Sequence, residues 1–91
     1  MQYKDEKILE IIKALGEIIR EIRRGKREES LNLFAYSYDL NPSNLSRIEN
    51  GQIEPKVTTL WKIAEALDIP LSELIRNLEN KLGDGFSLID K

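Results

Sequence analysis

Apolar residues recur along this chain at helical rather than strand spacing. Ile8, Ile11, Ile12, Leu15, Ile18, Ile19 and Ile22 fall within an arc of about 120° when residues are placed at about 100° intervals, with Leu9 at its margin. The pattern predicts one long amphipathic helix. Its other face carries Lys7, Glu10, Lys13, Glu17, Arg20 and Glu21, mixed in sign and spaced for i,i+3 or i,i+4 pairing, as a solvated face should be. Gly25 ends the pattern, and residues 26–29 form a polar connector.

Four shorter helices are predicted after it. Ser30 suits the N-cap of a helix over 31–38, because its hydroxyl oxygen can accept from a free backbone N–H. Asp39 interrupts that helix. Asn41 and Pro42 start the next one, with Asn as the cap and Pro at the first helical position, where its missing N–H costs nothing. Asn50-Gly51 closes this third helix after about nine residues, Gly51 taking a left-handed conformation. Leu60, Trp61, Ile63, Ala64 and Leu67 mark a fourth helix over 57–67, and Trp61, at the centre of that apolar pattern, is read as core. Pro70 opens a fifth, with Leu71, Leu74, Ile75, Leu78 and Leu82 at helical spacing, and Gly83-Asp84-Gly85 ends it. Tyr36 and Tyr38 are read as packing residues. Phe86, Leu88 and Ile89 suit an edge strand, a packed tail or a disordered one.

Composition agrees with an all-α fold: 12 Ile and 13 Leu stand against a single Val. Ninety-one residues make one domain, small enough for self-association to aid its stability. Cysteine and histidine are both absent. Their absence removes disulfides, Cys/His zinc sites, thiol nucleophiles and the imidazole base, and Glu28/Glu29 has no acid/base spacing, so neither an enzyme nor a bound cofactor or metal is expected. Residues 1–7 carry both charge signs, unlike a signal peptide, and no segment reaches the roughly 20 apolar residues of a membrane span, so a cytoplasmic location is expected. A net charge of −2 and a pI near 5.2 argue against a partner held mainly by bulk positive charge.

Residues 31–50 change that picture. Ala35, Asp39, Leu40, Leu45 and Ile48 occupy positions 5, 9, 10, 15 and 18 of this twenty-residue window. The small Ala35 allows close helix approach, Asp39 tolerates positive φ at the turn, and Leu45 and Ile48 lie on one buried side, over a floor of Phe34, Tyr38 and Leu40. Together with Leu45-Ser46-Arg47-Ile48-Glu49-Asn50-Gly51, Thr59-Leu60-x-x-Ile63-Ala64-x-Ala66-Leu67 and Leu71-Ser72-Glu73-Leu74, this window resembles the Cro/repressor-type helix-turn-helix family, also called the XRE family, over about 15–78. The resemblance implies a five-helix, lambda-repressor-like DNA-binding domain. Its third helix would enter the major groove of double-stranded DNA, usually as a homodimer on a palindromic operator. Three segments follow: a helix 1 extension over 1–14, the domain over 15–82 and a tail over 83–91.

If Leu45 and Ile48 face inward, the wheel puts Ser43, Ser46, Arg47 and Asn50 outward and Asn44 at the margin. Arg47 can make a bidentate contact to guanine, Asn44 can pair with adenine, and Ser43 can meet several base edges. By resemblance, Ser30, Ser46, Asn50 and Lys56 would hold phosphates. Glu49 falls between the two faces and needs a partner, which the family supplies from helix 1; Arg23 and Arg24 are the candidates. The apolar stripe begins two turns before the family's domain. Ile8, Leu9, Ile11 and Ile12 would therefore contact a second copy, unless Phe86, Leu88 and Ile89 fold back onto them.

The function this implies is a DNA-binding transcriptional regulator, a repressor or antitoxin-like autoregulator. The alternative is a protein-interaction module on the same fold. Leu31, where the family commonly has a phosphate-gripping glutamine, Pro42, where it often has a long polar reader, and the overall acidity would support that alternative.

Overall fold

A computed structural model describes residues 5–26 and 30–89. The expectations for residues 1–4 and for 27–29, including Arg27, Glu28 and Glu29, lie outside the described residues. The fold has five helices and, among the described residues, no strand: α1 Glu6–Lys26, α2 Leu31–Ser37, α3 Pro42–Glu49, α4 Val57–Ala66 and α5 Leu71–Leu82.

The caps follow the sequence. Ser30 Oγ accepts from the Leu33 N–H at 3.2 Å and Asn41 Oδ1 from the Asn44 N–H at 2.9 Å, with Pro42 opening α3. Three helices end in one device, a residue of positive φ flanked by two backward hydrogen bonds. After α2, Asp39 takes φ 56° and the Leu40 N–H reaches Ala35 O at 2.8 Å. After α3, Gly51 takes φ 70° and the Gln52 N–H reaches Arg47 O at 2.8 Å. After α4, Asp68 takes φ 61° and the Ile69 N–H reaches Ala64 O at 3.0 Å. Leu40 and Ile69 are buried as each chain segment turns back, so the closure of the helix also anchors the next segment.

The core joins Ile19 of α1, Phe34 and Ala35 of α2, Leu45 and Ile48 of α3, Ile63 and Leu67 around α4, and Leu74 of α5. Phe34 and Tyr38 meet at 5.2 Å between ring centroids, with Tyr38 half-buried. α1 packs along α5 and crosses α3. The crossing with α3 is close: a Cβ on Gly16 would lie 2.3 Å from Ile48 O and 2.7 Å from Glu49 O. Only glycine allows the two backbones to meet there. Lys81 joins the pair α1–α5 through Glu17 at 3.0 Å and Glu21 at 3.7 Å, and these charges hold the Lys81 ammonium pKa above its ordinary value, chiefly through the Glu17 hydrogen bond.

Two expected core residues are on the surface. Trp61 is 56% exposed and Tyr36 73%. In α4 the buried residues Leu60, Ile63, Ala64 and Leu67 centre on one side, and at about 100° per residue Trp61 falls beyond its edge. Tyr36 lies opposite Phe34 and Ala35 by the same construction. At the start of α1, Ile12 is 1% exposed and so is committed to this chain's own packing rather than to a second copy; Ile8, Leu9 and Ile11 are half-buried. Leu88 and Ile89 are exposed and, among the described residues of the tail, only Phe86 is half-buried, so these apolar side chains are not folded away together.

Candidate nucleic-acid interface

α3 divides into two faces. Leu45, Ile48 and Glu49 are buried, whereas Ser43, Asn44, Arg47 and Asn50 are exposed and Ser46 is half-buried. Ser43, Ser46, Arg47 and Asn50 line one open concavity of about 710 Å³, which Tyr36 of α2 and Gln52 complete. Asn44 faces a different cleft, of about 270 Å³, bounded by Asp39, Thr59 and Lys62. Ser30 and Lys56, both exposed, cap α2 and α4. Of the proposed base readers, the structure therefore brings Ser43 and Arg47 together and sets Asn44 on a neighbouring surface.

Behind this face is a buried charge cluster. Glu49 is 3% exposed and Arg23 5%. Arg23 Nε donates to Glu49 Oε2 at 2.7 Å and Nη2 to Oε1 at 2.9 Å, a bidentate pair. The Glu49 hydrogen bond, against the opposing effect of burial, holds the Arg23 pKa above its ordinary value, so the guanidinium stays charged. Arg24 is exposed and takes no part in it. Sequence left Arg23 and Arg24 open because the length of the following connector did not fix the register.

Arg20 completes the cluster and was not anticipated. Its Nε lies 3.5 Å from Glu49 Oε1, and its Nη2 donates to Asn50 Oδ1. The signal was available, since Arg20 stands one turn before Arg23 or Arg24 on the same helix. The consequence is electrostatic. Counted along the sequence, Asp39, Glu49 and Glu54 outnumber Arg47 and Lys56 between residues 30 and 56. In three dimensions Glu49 is withdrawn under two arginines, and Asp39 is met by Lys62, whose Nζ is 3.7 Å from its carboxylate and 2.8 Å from its carbonyl oxygen. The exposed face of α3 carries Arg47 without an acidic neighbour from its own helix.

Residues 19–74, more than half of the chain, match the Helix-turn-helix family HTH_3. The chain belongs to the helix-turn-helix family of DNA-binding regulators. Control protein C.MunI from Mycoplasma sp is 35% identical over 66 residues, 72% of this chain and 89% of that protein. The HTH-type transcriptional regulator SutR of Escherichia coli K12 is 34% identical over 61 residues, 67% of this chain but only 34% of SutR, so the chain spans about a third of that regulator. Among solved structures, the restriction-modification controller protein C.AhdI from Aeromonas hydrophila superposes with a TM-score of 0.64 at 32% identity, covering 69% of this chain and 94% of C.AhdI. The clp gene regulator ClgR from C. glutamicum shares the fold, with a TM-score of 0.71 at 23% identity over 80% of this chain and 92% of ClgR. The matched segment contains α2 and α3 whole and begins at Ile19, so the start of α1 precedes it. No helix among the described residues is long and apolar enough to cross a membrane.

Proposed function

We propose that this protein is a repressor or autoregulator that binds a palindromic operator as a homodimer, each copy placing α3 in the major groove of one half-site. The observation that carries this reading is the outward face of α3, where Ser43 and Arg47 stand exposed beside Ser46 and Asn50 while the acidic Glu49 of the same helix is buried. In this role Arg47 reads guanine, Ser43 and Asn44 meet neighbouring base edges, and Ser30, Ser46, Asn50 and Lys56 position the chain on phosphates. Two relatives named as control or controller proteins, most of whose length this chain covers, support the regulatory reading.

The second copy seats, in this reading, on the α4–α5 face rather than on the start of α1. Trp61 and, one turn before it, Val57 are exposed on α4, and Trp61 shares an open groove with Leu71 and Ile75 of α5. Arg76 and Glu79 line the same groove, which gives a two-fold contact a basic and an acidic group to exchange. Selection of duplexes from a random pool tests the proposal. The recovered sites should be two-fold symmetric, with half-sites about one helical turn apart; asymmetric single sites would remove the dimer, and no retained duplex at low salt would remove DNA binding.

A further inference from the structure

The hydrogen bonds around Arg20 have a fixed direction. Glu49 only accepts and a guanidinium only donates, so Arg20 turns donors toward both Glu49 Oε1 and Asn50 Oδ1. With its carbonyl oxygen taken by Arg20, the Asn50 amide must present its NH₂ group away from the cluster. One of those hydrogens is directed at Ser46 Oγ, at 3.4 Å. Ser46 thereby accepts through its oxygen and keeps its own O–H for another acceptor. The chain of donors runs outward from a buried carboxylate and ends at Asn50 and Ser46, on the concave face that also holds Arg47. The hydrogens left free on the Asn50 amide and the Ser46 hydroxyl suit an acceptor-only, negatively charged group. Arg20 is itself partly shielded, with 35% of its side chain exposed, and is held from two sides.

We infer that Arg20 is a positioning residue for DNA binding: it locks the Asn50 amide with its donors outward, so that Asn50 and Ser46 together hold one backbone phosphate beside α3. The inference rests on the DNA-binding reading above and adds to it a residue of α1 that lies outside the helix-turn-helix pair. Without Arg20 the Asn50 amide can turn over and offer its oxygen to the phosphate, which repels it. The effect of Arg20 on DNA should therefore pass through Asn50.

A double-mutant cycle on affinity for a duplex selected by the wild-type chain tests this, with thermal unfolding measured for each variant. Arg20→Ala and Asn50→Ala should each weaken binding about tenfold, the size of one hydrogen bond to a charged group. In the Asn50→Ala background, Arg20→Ala should cost no more than about a further twofold. Arg20→Lys, which keeps the charge but not the fork that spans Glu49 and Asn50, should restore only part of the loss. Losses that multiply in the double variant, or full restoration by Arg20→Lys, would overturn the inference by showing that Arg20 acts as a charge alone. So would wild-type affinity in a folded Arg20→Ala protein. A wild-type chain that retains no duplex at all would instead defeat the DNA-binding reading, and the inference with it.

Discussion

Glu49 brings a negative charge into the interior of a small helical domain, and the two arginines of α1 are what make that tolerable. Removing one member of a buried pair strands the other, at a cost of about 3–5 kcal/mol, whereas replacing both by apolar residues of similar volume is often nearly neutral. Arg23→Ala should therefore lower stability by about that amount in urea titrations, and Arg23→Met combined with Glu49→Leu should recover most of it. A small effect of Arg23→Ala would mean that the carboxylate is solvated after all. At the same scale, Arg47 and Lys56 should separate in function. Arg47→Ala should cost about 1–3 kcal/mol on the selected sequence and relax specificity, while Lys56→Ala should weaken all duplexes alike and reduce the salt slope by about 1. Titrations against selected and scrambled duplexes at several salt concentrations distinguish the two. Equal losses on both duplexes from both substitutions would contradict these roles.

The helices themselves were legible from local pattern, because amphipathic spacing, Ser30, Asn41-Pro42 and Gly51 each act within a few residues of their own position. Arg23 was legible as one of two candidates. What was not legible depends on elements distant in sequence. Gly16 reads as an ordinary weak point of a helix until α3 is laid across it. Trp61 and Tyr36 could have been assigned to the surface, since each helix wheel already places them off the buried arc; apolar character outweighed position in the expectation. Asp68 repeats at the end of α4 the positive-φ closure that the sequence pattern pointed to at Asp39 alone. The two glycines of α1 give a matched test. Gly16→Ala forces a methyl group against two carbonyl oxygens and should destabilise by about 1–3 kcal/mol or more. Gly25→Ala meets nothing within 4 Å and should stabilise by about 0.5–1 kcal/mol through helix propensity. Thermal unfolding of the two variants should move in opposite directions; a shift of the same sign would place the α1–α3 crossing elsewhere.

For the whole molecule, the net charge of −2 is compatible with DNA binding because the charges are divided between surfaces. Glu10, Glu17 and Glu21 belong to α1 and Glu65, Glu73 and Glu79 to α4 and α5, while Glu49 is covered. Affinity for DNA at large should be weak and should depend on pairing two copies, since few phosphates are neutralised by each. In the proposed dimer the α4–α5 face supplies the contact. Trp61→Glu should shift sedimentation equilibrium toward monomer and lower operator affinity without loss of helical content, whereas Ile8→Glu should leave the association state unchanged. The reverse result would return the dimer contact to the start of α1.

In the proposed complex α3 reads sequence. The most direct measurement of that role is the ratio of affinities for a selected duplex and a scrambled one, taken for the wild-type chain and for Arg47→Ala at one salt concentration. The wild type should prefer the selected duplex strongly, and Arg47→Ala should lose about ten- to a hundredfold of that preference while its affinity for the scrambled duplex changes little. An undiminished ratio in Arg47→Ala would contradict that role.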